Sequence, residues 1–438
     1  MESKFKDKII NSIEANKDIF LIPSSLRREY FRLFKKMDSP ENGHLDFKNT
    51  PKSFFEKFDY DLFSKNNTAE EHLNITDFLP KYVNINEVNI VVLINGYFSE
   101  KYSKIISENL IAKSLTQKVD DEYIDVEQYF LMYVEQHENP LSVLNTILAM
   151  DGLFLEIKEN AYIKEPIYIL SIITEQEKNY LFNQKLLILA QKNSQATIIE
   201  RKISLANQRT TLLQVKEQHQ AENSHIDYYD LTDISENNIE FTTLNGNEYV
   251  VDKNSNFNLF TLDINPAFSR SQTNLRLIGE NAETNINSFA FVDHKNIVDN
   301  KTLMEHKASN SKCSQRVKAI ADKEGKFFFD GKIEIRENIN KIEAHQNTRG
   351  ITLSDDATII CDPQLEIYAD DVVCTHGAAI GSNDSDDELL FYLQSRGISE
   401  KESKKMLLIA FAGEIYDKIK NEELRKELID EFNNSIKF

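Results

Sequence analysis

The chain has 438 residues, 41% of them hydrophobic, and a formal net charge of −20. That length is enough for two or three units, each with a sizeable core. The acidic balance argues against a nucleic-acid binder, which needs a concentrated basic face to displace counterions, and against an anionic membrane surface as partner. The first elements read as helical: Phe5, Ile9, Ile13 and Phe20 mark one stripe, and Leu26, Tyr30 and Leu33 mark a second. SPENGHLDFKNTP then breaks the pattern with turn residues. NIVVLINGYF (89–98) reads as a buried strand with a turn, while IISENLIAKSL and ENPLSVLNTILAMDG return to helical spacing. Residues 1–150 are therefore expected to form a mainly helical N-terminal domain.

After Gly152 short β-rich runs follow one another, among them PIYILSIIT, KLLILAQ, ATIIERKI, TTLLQVKEQ, FNLFTLDI, TNINSFAFV and KFFFDGKIEI, with Asn, Asp, Gly and Ser between them. Alternation is visible in TNLRLIG, where Leu275 and Leu277 share a face. Many short strands without helices leave a sandwich or barrel, or a β-solenoid. The stretch 151–381 is long for one sandwich. Hairpin signals are scarce, with NGNE at 245–248 the clearest. Isolated polar residues after short strands suit solenoid corners, although no strict repeat period is evident.

The period changes again over 382–438. SDDE (385–388) and SEKE (399–402) have the form of capping boxes, and Gly397 is a natural helix stop. Met406, Ile409, Gly413 and Tyr416 suggest one stripe; Leu424, Leu428 and Phe432 suggest another. Helices of this kind either pack on the body or dock another chain.

Several runs, VDNKTLMEH (298–306), FFFDGKIEI (327–335), AHQNTRGITLSDDA (344–357), DPQLEIYADDVVCTHGAAIG and ELLFYLQSRGIS, together resemble the SufB/SufD family, scaffold components of the Suf iron–sulfur cluster assembly system. The Cys-x-His-Gly arrangement is similar to the SufD branch; the SufB branch lacks it and usually carries further cysteines. A Trp-containing segment of the form EEW-x-YT is common near the start of SufD proteins. Here GHLDFKNTP stands in its place, and the chain has no Trp. The resemblance implies a right-handed parallel β-helix core at 151–381, flanked by the helical N-terminal domain and a small helical C-terminal domain at 382–438. It also implies pairing with a SufB-like paralogue through the β-helix and binding of a SufC-like ATPase through the C-terminal helices. An iron–sulfur cluster would be transient and shared at the paralogue interface.

Three cysteines, Cys313, Cys361 and Cys374, are too few and too odd in number for a disulfide framework, so a reducing cytoplasm is expected. No C-x-x-C occurs, which excludes zinc ribbons and thioredoxin-type sites at motif level. The opening MESKFKDKIINSIEANKDIF has no signal-peptide core, and no stretch approaches the ~20 apolar residues of a membrane span. In VVCTH, Cys374 and His376 are two apart and share one strand face. A thiolate beside an imidazole suits iron or a cluster edge, yet two ligands do not complete a site, and two ordinary strand residues would look the same. The resemblance assigns the cluster role to the histidine of Cys-x-His-Gly, here His376, with Cys374 as the second candidate ligand.

Other polar residues invite plainer readings. Cys361 has an apolar flank that suggests core, and Cys313 lies in a polar, turn-like segment. His306 and His345 are expected to cap solenoid corners. Asp370, Asp371, Asp384, Asp386 and Asp387 read as a solvated, helix-capping group. No G-x-x-x-x-G-K-[ST] occurs, so any ATP hydrolysis is expected from a partner and the chain itself is expected to be no enzyme. The alternative is a β-helix enzyme acting on polysaccharide through paired carboxylates. Within the family reading, a homodimer without a SufB-like partner also stays open, as does involvement of a flavin.

Overall fold

The computed structural model describes residues 4–15, 24–37, 48–51, 60–62, 73–117, 140–174, 177–233, 240–382 and 387–436. Its centre is a parallel β-solenoid. From β5 (Ile167–Ile173) to β19 (Val372–Ser382) successive strands alternate between two sheets, so odd-numbered strands stack in one and even-numbered strands in the other. Every neighbouring pair along this run is parallel and in unbroken register: β9 (His225–Asp233) on β11 (Asn256–Ile264), β13 (Glu283–Val292) on β15 (Lys312–Ala321), and β15 on β17 (Ile342–Thr352). The expected sandwich alternative is thereby removed.

The rise to the next rung takes an uneven number of residues, which hides the repeat. A column of asparagines marks it instead. Asn160, Asn193, Asn223, Asn254, Asn281 and Asn310 all adopt positive φ, between 54° and 61°, one at the same corner of each turn, and Lys341 takes that corner on the next rung at 57°. Asn tolerates that left-handed region better than other side chains with a Cβ. Asn193 donates to Asn160 (2.8 Å), Asn223 to Asn193 (3.1 Å), Asn254 to Asn223 (3.0 Å) and Asn281 to Asn254 (2.9 Å), a ladder whose steps vary from 27 to 33 residues. The residue after each corner Asn turns inward and is buried: Ser194, Ser224, Ser255, Ala282, Ser311.

The sheets begin before residue 150. β1 (Asn89–Ile94) pairs parallel with β5 and antiparallel with β2 (Tyr97–Phe98), the expected strand and turn. β3 (Leu110–Ser114) closes the other sheet against β4 (Gly152–Ile157). IISENLIAKSL, expected to be helical, is therefore strand at its core; its apolar residues satisfy a sheet edge rather than a helix face. NGNE, the clearest hairpin signal, lies inside β10 (Phe241–Val251), with no turn at all. Asn245 and Asn247 are buried there, and Asn247 donates to Thr273 of the next rung (3.1 Å).

Three apolar layers hold the molecule. The first fills the lumen between the sheets, with Ile198, Tyr228, Leu259, Tyr249, Leu275, Met304 and Ile333 fully or almost fully buried. The second lies outside the even-numbered sheet, where α1 (Lys4–Ala15), α2 (Ser24–Lys36) and α3 (Pro140–Leu148) cover Leu181, Leu213, Leu244 and Phe268. The third lies outside the odd-numbered sheet under α5 (Glu400–Tyr416) and α6 (Glu422–Ser435). There Phe432 meets Phe289 edge-on at 4.9 Å, and Arg201 pairs with Glu427 at 2.9 Å. Ser399 caps α5 by accepting from the Glu402 N–H (3.3 Å), as SEKE predicts. The buried face of α5 is Leu408, Ala412, Ile415 and Tyr416 rather than the expected stripe through Met406, which is exposed. α4 (Asp387–Ser395) ends at Gly397, whose φ of +86° fits glycine best. Ser385 and Asp386, the first half of the SDDE capping box, lie outside the described residues. No described helix is long and apolar enough to cross a membrane.

Candidate functional site at the last rung

β19 and β18 (Thr358–Ile367) are the final strands of their sheets, each with one neighbour. Along β19, Cys374 is opposite Ala344 and His376 opposite Gln346. Ala344 and Gln346 are buried, and Cys374 packs on the lumen core. The alternation read from VVCTH holds: Cys374 and His376 share the inward face, and Thr375 points out, where its hydroxyl meets His345 Nδ1 at 2.8 Å. Because no rung covers them, Cys374 is half-buried and His376 exposed. Burial pushes the Cys374 thiol above its ordinary value, against a backbone hydrogen bond at Ala344 that lowers it. The thiolate therefore needs a metal or a nearby cation to form at neutral pH.

The other two cysteines also face inward, Cys361 from the other sheet and Cys313 from deeper in the Cys374 column. Cys361 is half-buried on β18, opposite Phe329, among apolar neighbours, and burial raises its thiol to about 12. Cys313 is not in a turn-like segment. It is the second residue of β15, fully buried two rungs below Cys374 with Ala344 between, and burial drives its thiol far up. The alternation of K-C-S-Q-R-V turns the cysteine in and its charged neighbours out, which its polar flank concealed.

His306 does cap a corner: it is buried, Nδ1 is 2.7 Å from Ser311 Oγ, and burial depresses its pKa to about 4. His345 is mid-strand on the outer face, not at a corner. Asp370 and Asp371 occupy the exposed turn between β18 and β19. Asp387 opens α4, while Asp384 and Asp386 lie outside the described residues. Among the described residues no three His, Cys, Asp or Glu gather into a metal-binding group. The chain brings two soft donors to an open rung and leaves their coordination incomplete.

The surroundings of this rung are apolar and exposed. Ile360, Ile367, Tyr368, Val373 and Ile380 lie on or beside the two edge strands. Nearby, α4 presents Leu389, Tyr392 and Phe391, the last 72% exposed. A long edge strand with apolar side chains is a template for pairing with another chain. On the outer face a groove of about 410 Å³ runs past His345, Arg316 and Arg349 to His376.

Comparison with known sequences matches the SufBD core domain of the SUF system for FeS cluster assembly over residues 172–411, and the SufBD protein N-terminal region over 10–169. The chain is 34% identical to the iron–sulfur cluster assembly protein SufD of Escherichia coli over 163 residues, 37% of this chain and 38% of that protein. It is 25% identical to a SufBD family protein of Synechocystis over 339 residues, covering 75% and 74% of the two chains. It is 24% identical to SufD of Bacillus subtilis over 314 residues, covering 71% and 70%. These matches leave the polysaccharide reading without support. The chain belongs to the SufB/SufD family of iron–sulfur cluster assembly proteins and is a SufD-like member of it.

Proposed function

We propose that this chain is a non-catalytic scaffold subunit that pairs with a SufB-like paralogue through its last rung and supplies His376, with Cys374, to a cluster assembled at that interface. The single observation that carries this reading is the incomplete donor pair on an uncovered inward face. A cluster is cargo here, and the missing ligands come from the partner. A soft thiolate and an imidazole suit iron. Paralogue strands stacking on β18 and β19 would cover the exposed Val373 and Ile380 and satisfy the edge hydrogen bonds.

The division into residues 1–150, 151–381 and 382–438 belongs to the same proposal. The C-terminal unit docks a SufC-like ATPase, with the exposed Leu389, Phe391 and Tyr392 of α4 as the apolar part of its surface. ATP hydrolysis comes from that partner, since this chain carries no phosphate-binding loop. The cytoplasm is the compartment that keeps its three thiols reduced.

The test is anaerobic co-expression with the SufB-like and SufC-like proteins of the same organism, comparing wild type with His376→Ala. The expected result is a complex of unchanged size that has lost its iron. A complex of unchanged size and unchanged iron would move the site onto the partner. Recovery of the chain only as a self-paired dimer, with both partners present, would favour the homodimer.

A further inference from the structure

We infer that Gln346 is a positioning residue for His376: its side-chain oxygen, unpartnered in the structure, takes a hydrogen bond from the imidazole when the ring turns toward it, and so fixes which ring nitrogen is left free to face outward.

Ile198, Tyr228, Leu259, Ile286, Gln315, Gln346 and His376 occupy one register position on successive rungs of the odd-numbered sheet. The column is apolar or aromatic until its last three members. Gln315 and Gln346 are both almost fully buried. Gln346 Nε2 donates to Gln315 Oε1 at 2.9 Å, and Gln315 Nε2 donates across the lumen to Thr302 Oγ1 at 2.9 Å. Each glutamine thus donates to a side-chain oxygen that precedes it in the chain, Gln346 along the column and Gln315 across to the opposite sheet.

This pattern leaves one acceptor over. Gln346 Oε1 is buried and has no hydrogen-bond partner. A buried acceptor left unmatched costs about 1–3 kcal/mol. The next member of the column is His376, one strand spacing of ~4.8 Å away on the same inward face. An imidazole N–H is the donor that continues the pattern by one step. The amide itself is held in place. Gly331 faces it from the even-numbered sheet, and a Cβ there would collide with Gln346 Nε2 and the Phe329 ring. The glycine makes room for the amide, and Gln315 orients it.

The hydrogen bond has a chemical consequence. An imidazole whose inner N–H is held by a carbonyl oxygen presents its other nitrogen as a lone pair, with the ring orientation set and its basicity raised. That is the form a metal-bearing cargo needs. This consequence rests on the reading of His376 as a cluster-site residue; the hydrogen bond does not.

The experiment uses the full-length chain labelled with 15N-histidine. Imidazole nitrogen spectra would be recorded at a pH where the rings are neutral, with His376→Asn identifying the His376 signals. In wild type, His376 is expected in one tautomer. In Gln346→Leu it is expected as a mixture of both. Gln346→Glu keeps an acceptor and should keep the wild-type tautomer. Gln315→Leu, which frees the Gln346 amide to turn, should also give a mixture and serves if Gln346→Leu does not fold. A mixed population in wild type, an unchanged tautomer in the Leu variants, or a reversed tautomer in Gln346→Glu would overturn the inference. In the co-expressed complex, Gln346→Leu should weaken iron retention about 10–100-fold. If His376→Ala leaves iron unchanged, the cluster-site reading fails while the tautomer result stands.

Discussion

The lumen contains two polar regions, one closed between the two sheets and one open at the end of the odd-numbered sheet. In the closed region, Lys216 donates to Glu200 at 2.9 Å and pairs with Asp230, which also pairs with Lys202. Tyr228 donates to Glu200 at 2.7 Å, and the Lys216 ammonium lies 5.0 Å from the Tyr228 ring. Burial pushes the Asp230 carboxyl up, but Lys202 and Lys216 outweigh it and hold it well below the carboxylate range. In the open region, four and five rungs on from Tyr228, Gln346 keeps a bare acceptor, and among the described residues Cys374 and His376 belong to no group of three His, Cys, Asp or Glu. Tyr228 and His376 even share a column. A dry lumen tolerates ionised groups only as a mutually satisfied set. The contrast therefore teaches that polarity in mid-lumen is satisfied within the fold, whereas polarity at the last rung is not, which is the difference that the proposed interface uses.

Substitutions at the two regions should separate stability from function, and the largest effect belongs to the closed network. Asp230→Ala removes the shared partner of Lys202 and Lys216 and leaves two buried cations under-compensated. It should cost about 3–5 kcal/mol in denaturant unfolding. A loss below about 1 kcal/mol would mean that the network is not what the lumen depends on.

An intermediate effect is expected where the C-terminal helices are latched to the outer face of the odd-numbered sheet. Burial pushes Asp227 up, but hydrogen bonds from His225, Lys420 and Asn258 bring its pKa down to about 2. Lys420 reaches it at 2.8 and 2.9 Å from the α5–α6 turn. A folded pKa below the unfolded one stabilises at pH above about 4, and that contribution is lost as pH falls toward 2. Asp227→Asn should therefore cost roughly 1–2 kcal/mol at neutral pH, allowing for the exposure of Lys420. The gap between wild-type and variant stability should close in acid. The comparison has to be made as that gap, because burial raises Asp263 and Glu217, which act in the opposite sense. Parallel curves down to pH 2 would remove the latch.

How much of this was readable from the chain differs between scaffold and site. Alternation placed Leu275, Leu277, Cys374 and His376 on the right face, because period 2 is local and survives in any sheet. The rung length was not readable as a period, since the corners move by up to six residues from turn to turn; the Asn-Ser pairs at 193, 223, 254 and 310 carry it instead. NGNE misled because a buried polar lumen places Asn where a turn would, and Cys313 misled because its outward neighbours are charged. Met406 was mis-set on α5 for a simpler reason: only the docked sheet decides which face of a broadly apolar helix is buried. The Cys-x-His pair itself was legible. What no local pattern reveals is Gln346, whose meaning depends on a column assembled from residues 27 to 31 apart.

The smallest effect on stability should come from the residue proposed to matter most. His376 is exposed on an edge strand, with Ala378 and Gly377 beside it. Solvent at the open rung can donate to Gln346 Oε1 once the imidazole is gone, so His376→Ala should change unfolding free energy by no more than about 0.5 kcal/mol, as other exposed substitutions do. Cys374→Ala, half-buried against Ala344, should lose slightly more, about 1 kcal/mol. Both would be read by denaturant midpoint at constant slope, next to the iron content of the complex. If His376→Ala destabilised the isolated chain by 2 kcal/mol or more, its imidazole would be serving the fold as Tyr228 does. The line between the closed and open regions would then have to move one rung outward. If stability holds and iron falls, a residue that costs the fold nothing to lose is retained for the chemistry at its free edge.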